Sequence, residues 1–279
     1  MQVRVGFIGA GGMAANHMKN MQQNEHVQLV SVCDVVRERA EQAGQQYGMK
    51  PYTVYEEMLE NEQLDALFVC VPPFAHGRIE EMAAERGIHL FVEKPVELDL
   101  EAAGKKAELI EKSGIITSSG YALRYVSSID QARAYLEDKT IGMVRAYYLS
   151  GFVQTPWWRV MEKSGGQLVE QATHIVDLAR YLAGDVVKVY AEMDLRHLKD
   201  MENINIPDVT SVHLRFKSGA IGHVDTCCIQ PDHRLGVEIL GHGFRVAYEG
   251  TTLTIIEKHK NLSVPNEVPN IFQEQDNTF

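Results

Sequence analysis

The stretch Gly9-Ala10-Gly11-Gly12-Met13-Ala14 decides how this chain is read. It fits the pattern G-x-G-x-x-A, follows a short apolar run, Val3–Ile8, and opens a helical stretch, Gly12–Gln23. Gly9 allows a tight turn between strand and helix. At Gly11 the missing Cβ lets a pyrophosphate approach the backbone, and Ala14 permits close helix–strand packing. The helix start, with Gly12 and Met13 in its first turn, offers free N–H groups and a positive dipole end to phosphates. A second apolar run, Val27–Cys33, ends at Asp34, 20 residues after Ala14. A dinucleotide-binding unit places its ribose-binding acid about there. That carboxylate accepts from both ribose hydroxyls and repels a 2′-phosphate, which favours NAD over NADP. Arg37 and Arg39 lie just beyond and either soften that preference or are solvated helix residues.

Outward from this unit, strand-like and helical stretches alternate as far as Gly120. Leu64–Val71, Ile88–Val92 and Ile115–Ser119 read as strands, and Val35–Tyr47, Phe74–Arg86 and Asp99–Ser113 as helices. Asp99 is a good N-cap and Gly114 a good residue to end the last helix. Apolar, non-alternating strands between helices imply a parallel sheet covered on both faces. Beyond Gly120 one helix, Ser127–Lys139, leads into strands at 143–150, 186–194, 209–216, 220–229, 235–241, 244–248 and 252–257. Lys217-Ser218-Gly219 and Glu249-Gly250 supply turns at hairpin spacing, which implies antiparallel pairing. A single long helix, Gly166–Ala183, interrupts them. The expected fold class is α/β: an N-terminal Rossmann domain with a doubly wound parallel sheet, residues 1–120. An α+β domain with a large, mostly antiparallel sheet follows over 121–279, for substrate and assembly.

Composition excludes several function classes. The 279 residues suit two domains, and 45% hydrophobic with 23% charged residues is ordinary for a globular chain. The net charge is −11, and both sides of Gly120 are acidic, 11 basic against 18 acidic residues before it and 16 against 20 after. No basic face is set aside for phosphate backbones, so nucleic acid is not an expected partner. The longest clean apolar run, Ala66–Pro73, is well short of the ~20 residues of a membrane span. Cys33, Cys70, Cys227 and Cys228 form no C-x-x-C pair and read as reduced core thiols. With no secretory leader evident after Met1, the expected location is cytoplasmic.

Three further motifs accumulate. Val71-Pro72-Pro73-Phe74-Ala75-His76 follows one strand, and Glu93-Lys94-Pro95 follows the next. Gly165-Gly166-Gln167-Leu168-Val169-Glu170-Gln171-Ala172-Thr173-His174-Ile175-Val176-Asp177 opens the long helix. Together with Gly9–Ala14 these resemble, in order and spacing over nearly the whole chain, the Gfo/Idh/MocA family of NAD(P)-dependent oxidoreductases. The resemblance implies a Rossmann domain followed by an open, largely antiparallel sheet. It implies hydride transfer between NAD(P) and a carbinol carbon of a sugar, an inositol-like polyol or a related small molecule. It further implies a cis bond before Pro95, and a homodimer or homotetramer joined through the C-terminal sheet. Two departures stand out. Glu170-Gln171-Ala172 replaces the family's common Asp-x-Gly, so the acid is one methylene longer. The segment Glu274–Phe279 looks like the opening turn of a late helix cut short, as in a truncated or shortened member.

Lys94 follows a strand's carboxyl end, where open α/β sheets build their sites, and Pro95 keeps it extended. Its ammonium would steady a developing alkoxide. His174 suits proton exchange near neutrality, an imidazole titrating near ~6.5. On one continuous helix Glu170, His174 and Asp177 would share a stripe of about 60°. Glu170 would then bind a substrate hydroxyl and Asp177 would orient the imidazole, while Leu168, Ile175, Leu178 and Leu182 face the core. No H-x-x-x-H pair or further ligand cluster accompanies them, so no metal is expected. Pro72, Pro73, His76, Glu93 and Lys94 are the remaining expected cofactor contacts. Tyr121, Arg124, Trp157, Trp158 and Arg159 are candidates for the substrate pocket, with His233 and Arg234 weaker. Two alternatives share this scaffold: an NAD-dependent glycoside hydrolase, which oxidises a sugar transiently and returns the hydride, and a non-catalytic NAD(P)-sensing protein.

Overall fold

The structure, a computed structural model, describes residues 2–258 and 260–279. It contains two compact units, Met1–Gly120 together with Phe272–Phe279, and Tyr121–Ile271.

The first unit is built on strands β1 (Val3–Ile8), β2 (Val27–Cys33), β3 (Lys50–Tyr52), β4 (Ala66–Val69), β5 (His89–Val92) and β6 (Thr117–Ser119). They form one parallel sheet in the order β3-β2-β1-β4-β5-β6. The intervening helices are α1 (Gly12–Met21), α2 (Arg37–Tyr47), α3 (Tyr55–Asn61), α4 (Ile79–Glu85) and α5 (Leu100–Ser113). Successive residues of the central strands enter two different cores. Phe7, Phe68 and Phe91 pack with Ala14 and Met18 of α1, whereas Ile8, Leu67 and Leu90 pack with Met58 of α3 and Ile79 of α4. Burial on both faces explains the unbroken apolar runs. Asp99 caps α5 by accepting from the Ala102 N–H at 2.7 Å.

Three details differ from the sequence reading. The stretch 74–86 is not one helix. A 3-10 turn over Pro73–Ala75 precedes α4, and Gly77, at φ +52°, takes a left-handed turn between them. The short β3 and α3 were not expected; Pro51 hides β3 from the strand pattern and is tolerated because β3 is an edge. The helix α10 (Ile271–Thr278), assigned by sequence to the second domain, packs its last residues into the first. Gln275 donates to the Ser119 carbonyl at 3.0 Å, and the Phe279 ring meets Phe68 and Phe91 at 5.5 and 5.9 Å.

The second unit is an eight-stranded sheet with helices on one face. Its strands are β7 (Ile141–Leu149), β8 (Val186–Asp194), β9 (Val209–Phe216), β10 (Ile221–Cys227), β11 (Arg234–Gly241), β12 (Phe244–Glu249), β13 (Thr252–Glu257) and β14 (Lys260–Val264). Their order is β14-β13-β12-β11-β7-β10-β9-β8, antiparallel except for the pair β7 and β10. The helices are α6 (Ser127–Leu136), α7 (Met161–Ser164), α8 (Gly166–Glu170) and α9 (Thr173–Ala183). Ile129 and Ala132 of α6 and Ile175, Leu178 and Leu182 of α9 share one core with Val144, Val237, Ile239 and Leu253 of the sheet. The expected single helix over 166–183 is therefore two, broken at Gln171-Ala172, where both N–H groups return to the Gln167 carbonyl. The stripe drawn for a continuous helix does not survive that break.

Candidate active site

In the first unit the strand order reverses between β1 and β4, and the crevice of an open α/β sheet lies at the carboxyl ends beside such a reversal. The sequence motifs converge there. Gly9 leaves β1 at φ +96°, and a Cβ on it would stand 2.3 Å from the Cys70 carbonyl oxygen at the end of β4. No side chain fits, which is why this position is glycine. By contrast, a Cβ on Gly11 or Gly12 would meet nothing within 4 Å. The backbone there faces open space, Gly11 is the N-cap of α1, and no side chain caps the helix. That is a cradle for an anionic group at a helix N-terminus. Met13 is partly exposed in the same turn, and Ala14 is fully buried against the sheet.

Asp34 follows β2. Its two oxygens accept the Ala10 N–H at 2.9 Å and the Val36 N–H at 2.8 Å, so the carboxylate is fixed beside the glycine loop. A carboxylate has lone pairs to spare for ribose hydroxyls. Arg37 is exposed and pairs with Glu41 one turn along α2, at 3.7 Å. The residues present thus fit a dinucleotide, with α1 for the pyrophosphate and Asp34 for a ribose. Asp34→Asn removes the charge yet keeps an acceptor. It should shift the NAD-to-NADP affinity ratio toward NADP by at least about tenfold, about 1.4 kcal/mol, measured by fluorescence titration with both reduced cofactors.

Lys94 lies just beyond β5, half-buried, and its bond to Pro95 is cis. Pro72 precedes the 3-10 turn that Pro73 begins, after β4. Two expected cofactor contacts turn inward instead. Glu93 is buried: Oε1 lies 2.9 Å from His17 Nε2, and Oε2 accepts the Lys94 N–H at 3.0 Å. His76 is buried, its Nδ1 bound to Glu80. Glu80 also meets the Lys106 ammonium at 3.1 Å, and Lys106 reaches Glu97 at 2.9 Å. Burial works against all three charges. Pairing outweighs it: His76 and then Lys106 lower the Glu80 carboxyl, Lys106 lowers that of Glu97, and the two carboxylates raise the Lys106 amine.

The sequence reading missed the residue at the centre of this unit. His17 of α1 has no solvent exposure. Its Nδ1 lies 2.6 Å from Asp276, whose other oxygen accepts from Asn20 at 2.9 Å. The signal was present, since His17 sits among Ala14, Met18 and Met21 at helical spacing, a polar group on an apolar stripe. Burial alone would lower its pKa; the hydrogen bonds and charges of Asp276 and Glu93 override that and raise it to about 9. A group whose folded value lies above its unfolded value stabilises most below the unfolded one. The contribution, about 3 kcal/mol, is therefore present below about pH 6.5 and lost as pH rises through about 9. Urea midpoints at pH 6.5 and 10 should show that slope, and His17→Gln should remove it.

In the second unit, α8 and α9 present Glu170, His174 and Asp177. Glu170 is buried and His174 half-buried. Asp177 has a charged partner of its own. Arg124 grips it in a two-pronged pair, Nε to Oδ2 at 2.8 Å and Nη2 to Oδ1, with the guanidinium 4.9 Å from the Tyr181 ring and 5.8 Å from the Tyr121 ring. Tyr121 in turn meets the Thr173 hydroxyl at 3.2 Å and lies edge-on to the His174 ring at 6.2 Å. Arg159 braces its own loop through the Val153 and Gln154 carbonyls, each at 2.7 Å. Trp157 and Trp158 pack edge to face at 5.6 Å, and the Trp158 indole nitrogen is buried with no hydrogen-bond partner among the described residues. Tyr148 of β7 was also missed. It packs against His233 at 5.0 Å, and burial first, then the Glu170 charge, raise its pKa. The four cysteines are unpaired, and burial chiefly raises the Cys33 thiol to about 12 and Cys228 to about 11.

A glycine-cradled helix start, an acid after the second strand and a lysine after the fifth define a dinucleotide-binding oxidoreductase domain. Residues 3–121 match the family model "Oxidoreductase family, NAD-binding Rossmann fold", and residues 129–246 match the "GFO/IDH/MocA C-terminal domain". The chain belongs to the Gfo/Idh/MocA family of NAD-dependent oxidoreductases. Among curated relatives it is 30% identical over 251 residues to the scyllo-inositol 2-dehydrogenase (NAD(+)) of Bacillus subtilis, covering 86% of this chain and 72% of that one. It is 28% identical over 229 residues to the myo-inositol 2-dehydrogenase of Thermotoga maritima, covering 80% and 68%. Levoglucosan dehydrogenase in complex with NADH shares the fold at a TM-score of 0.86 and 21% identity, over 99% of this chain and 83% of that one. No helix among the described residues is long and apolar enough to cross a membrane.

Proposed function

We propose that this chain is a dehydrogenase of a polyhydroxylated small molecule, a sugar or an inositol-like polyol. The carrying observation is the open cradle over Gly11 and Gly12 at the sheet's reversal point, in the same unit as Asp34 and Lys94. The inositol dehydrogenases among its relatives support the substrate class. The buried, unpartnered Trp158 N–H also suits a ligand rich in hydroxyl groups.

When bound, NAD supplies the hydride acceptor. The chain's residues do the rest. The first turn of α1 holds the pyrophosphate, and Asp34 binds the ribose and excludes a 2′-phosphate. His174 takes the proton of the substrate hydroxyl. The Lys94 ammonium steadies the oxygen as charge develops on it. Glu170 accepts from a neighbouring substrate hydroxyl, and Tyr121, Trp157 and Trp158 shape the pocket wall. Arg124 and Asp177 act as a pair bracing that wall.

The test is incubation with NAD⁺ and a panel of inositols, aldoses and glycosides, watching for NADH, with His174→Ala as control. NADH from a free polyol, absent in the variant, supports the reading. Aglycone release without net NADH would replace it with the hydrolase. Cofactor binding with silence on every substrate would favour the sensor.

Assembly through the second unit's sheet belongs to the same proposal. Tyr190 of β8 is more than half exposed and lines a groove across the sheet with Met143, Ile221, Lys188, His213, Arg215 and His223. Such a groove, with apolar and basic walls, is suited to a second copy, forming a dimer or tetramer.

A further inference from the structure

We propose that His17 and Asp276 are positioning residues for Lys94, acting through the Glu93 carboxylate. This rests on the role assigned to Lys94 above. Both ring nitrogens of His17 lie within hydrogen-bond distance of a carboxylate oxygen, Asp276 at 2.6 Å and Glu93 at 2.9 Å. A carboxylate only accepts, and a neutral imidazole has a single N–H. Satisfying both bonds requires the imidazolium, one buried cation between two buried anions.

Glu93 carries the effect to Lys94. Its Oε2 accepts the Lys94 N–H at 3.0 Å, so the side chain folds back on the start of its own loop. The carboxylate has no room to move toward β6. A Cβ on Gly120 would stand 2.5 Å from Oε2, so glycine at 120 is what lets it lie against the backbone. On the other side the His17 ring is walled by Phe91 at 5.0 Å and Phe68 at 5.5 Å. The backbone at 93–94 cannot swing without breaking a charge-assisted bond inside an apolar wall.

His17 also stands on α1, whose first turn is the phosphate cradle. One imidazolium therefore ties the cofactor-receiving helix to the strand end that carries Lys94. Asp276, on the terminal helix, holds that imidazolium from behind with Asn20. The terminal segment, far away in sequence, thereby contributes to the alignment of Lys94.

The experiment compares wild type with His17→Gln and Asp276→Asn. Thermal melts report the fold, and NADH fluorescence titration reports the cradle. Steady-state rates with the polyol found above are measured alongside. A readout that needs no turnover is the rate of reductive methylation of the Lys94 amine by formaldehyde and dimethylamine–borane, followed by peptide mass spectrometry. Both variants should bind NADH within about threefold of wild type. Their kcat should fall by about 10–100-fold with little change in KM, as expected of a misplaced group. Lys94 should be methylated several-fold faster as its loop loosens. Should His17→Gln fail to fold, Asp276→Asn, which takes away one of the two anions that hold the imidazolium, carries the comparison. Folded variants with wild-type kcat and wild-type Lys94 labelling would overturn the proposal. If no polyol is oxidised even by wild type, the assigned role of Lys94 fails, and the labelling rates still decide whether His17 positions it.

Discussion

His174→Ala is expected to lower kcat for NADH formation by about 10²–10⁴-fold, the usual worth of a positioned general base. The loss falls on kcat more than on KM, because a proton acceptor acts mainly as the hydroxyl bond breaks. The fold is not the cause: His174 is half-buried beside Tyr121, whereas the core of α9 is Ile175, Leu178 and Leu182. The thermal midpoint should therefore stay near that of wild type. Lys94→Ala is expected to cost about 10²–10³-fold, the worth of one donor at a developing oxyanion. If the proposed roles hold, the double variant should lose less than the product of the two. A single variant that keeps more than about a tenth of wild-type kcat would remove that residue from the chemistry. The informative series is stopped-flow kinetics of NADH appearance for all four proteins at saturating NAD⁺.

Lys106→Met is expected to be the most damaging single change to stability. Lys106 is 8% exposed and carries the positive charge shared by Glu80 and Glu97. Methionine fills the space of the stem but leaves two carboxylates facing each other with only His76 beside Glu80. Removing one partner of a buried ion pair costs about 3–5 kcal/mol. In a chain of this size that is a fall in Tm of about 6–15 °C. The rescue is specific. Glu80→Gln and Glu97→Gln added to Lys106→Met should recover much of the loss, because no buried charge then lacks a partner. A Tm within 2 °C of wild type for the single variant, an interval under about 1 kcal/mol, would show that solvent reaches the cluster.

What was legible in the sequence was whatever is written locally. The glycine loop, Asp34, the Asp99 cap and the strands 186–194, 209–216 and 252–257 follow from residues near one another in the chain, and the structure places them as read. The alternation of strands and helices before Gly120 and the hairpin turns beyond it carried the two-domain architecture, and the family resemblance agreed with it. The inward turns of Glu93 and His76 were not legible, because each depends on a partner in another element or on the next helical turn. His17 meets Asp276 across 259 positions, and no spacing rule reaches that far. The break at Gln171-Ala172 was hidden because neither residue is a helix breaker; tertiary packing overrode local preference. The Arg124–Asp177 pair was readable as two candidate residues but not as one unit.

The placement of residues 272–279 in the first unit has a consequence for biosynthesis. About 150 residues separate Gly120 from that segment, and a ribosome adds roughly 5–20 residues per second. For about 8–30 s the newly made sheet holds His17 and Glu93 with no Asp276 to balance them, and Phe68 and Phe91 with no Phe279 over them. The nascent domain must wait in that unfinished state while the second unit is made, until the helix over Ile271–Thr278 arrives.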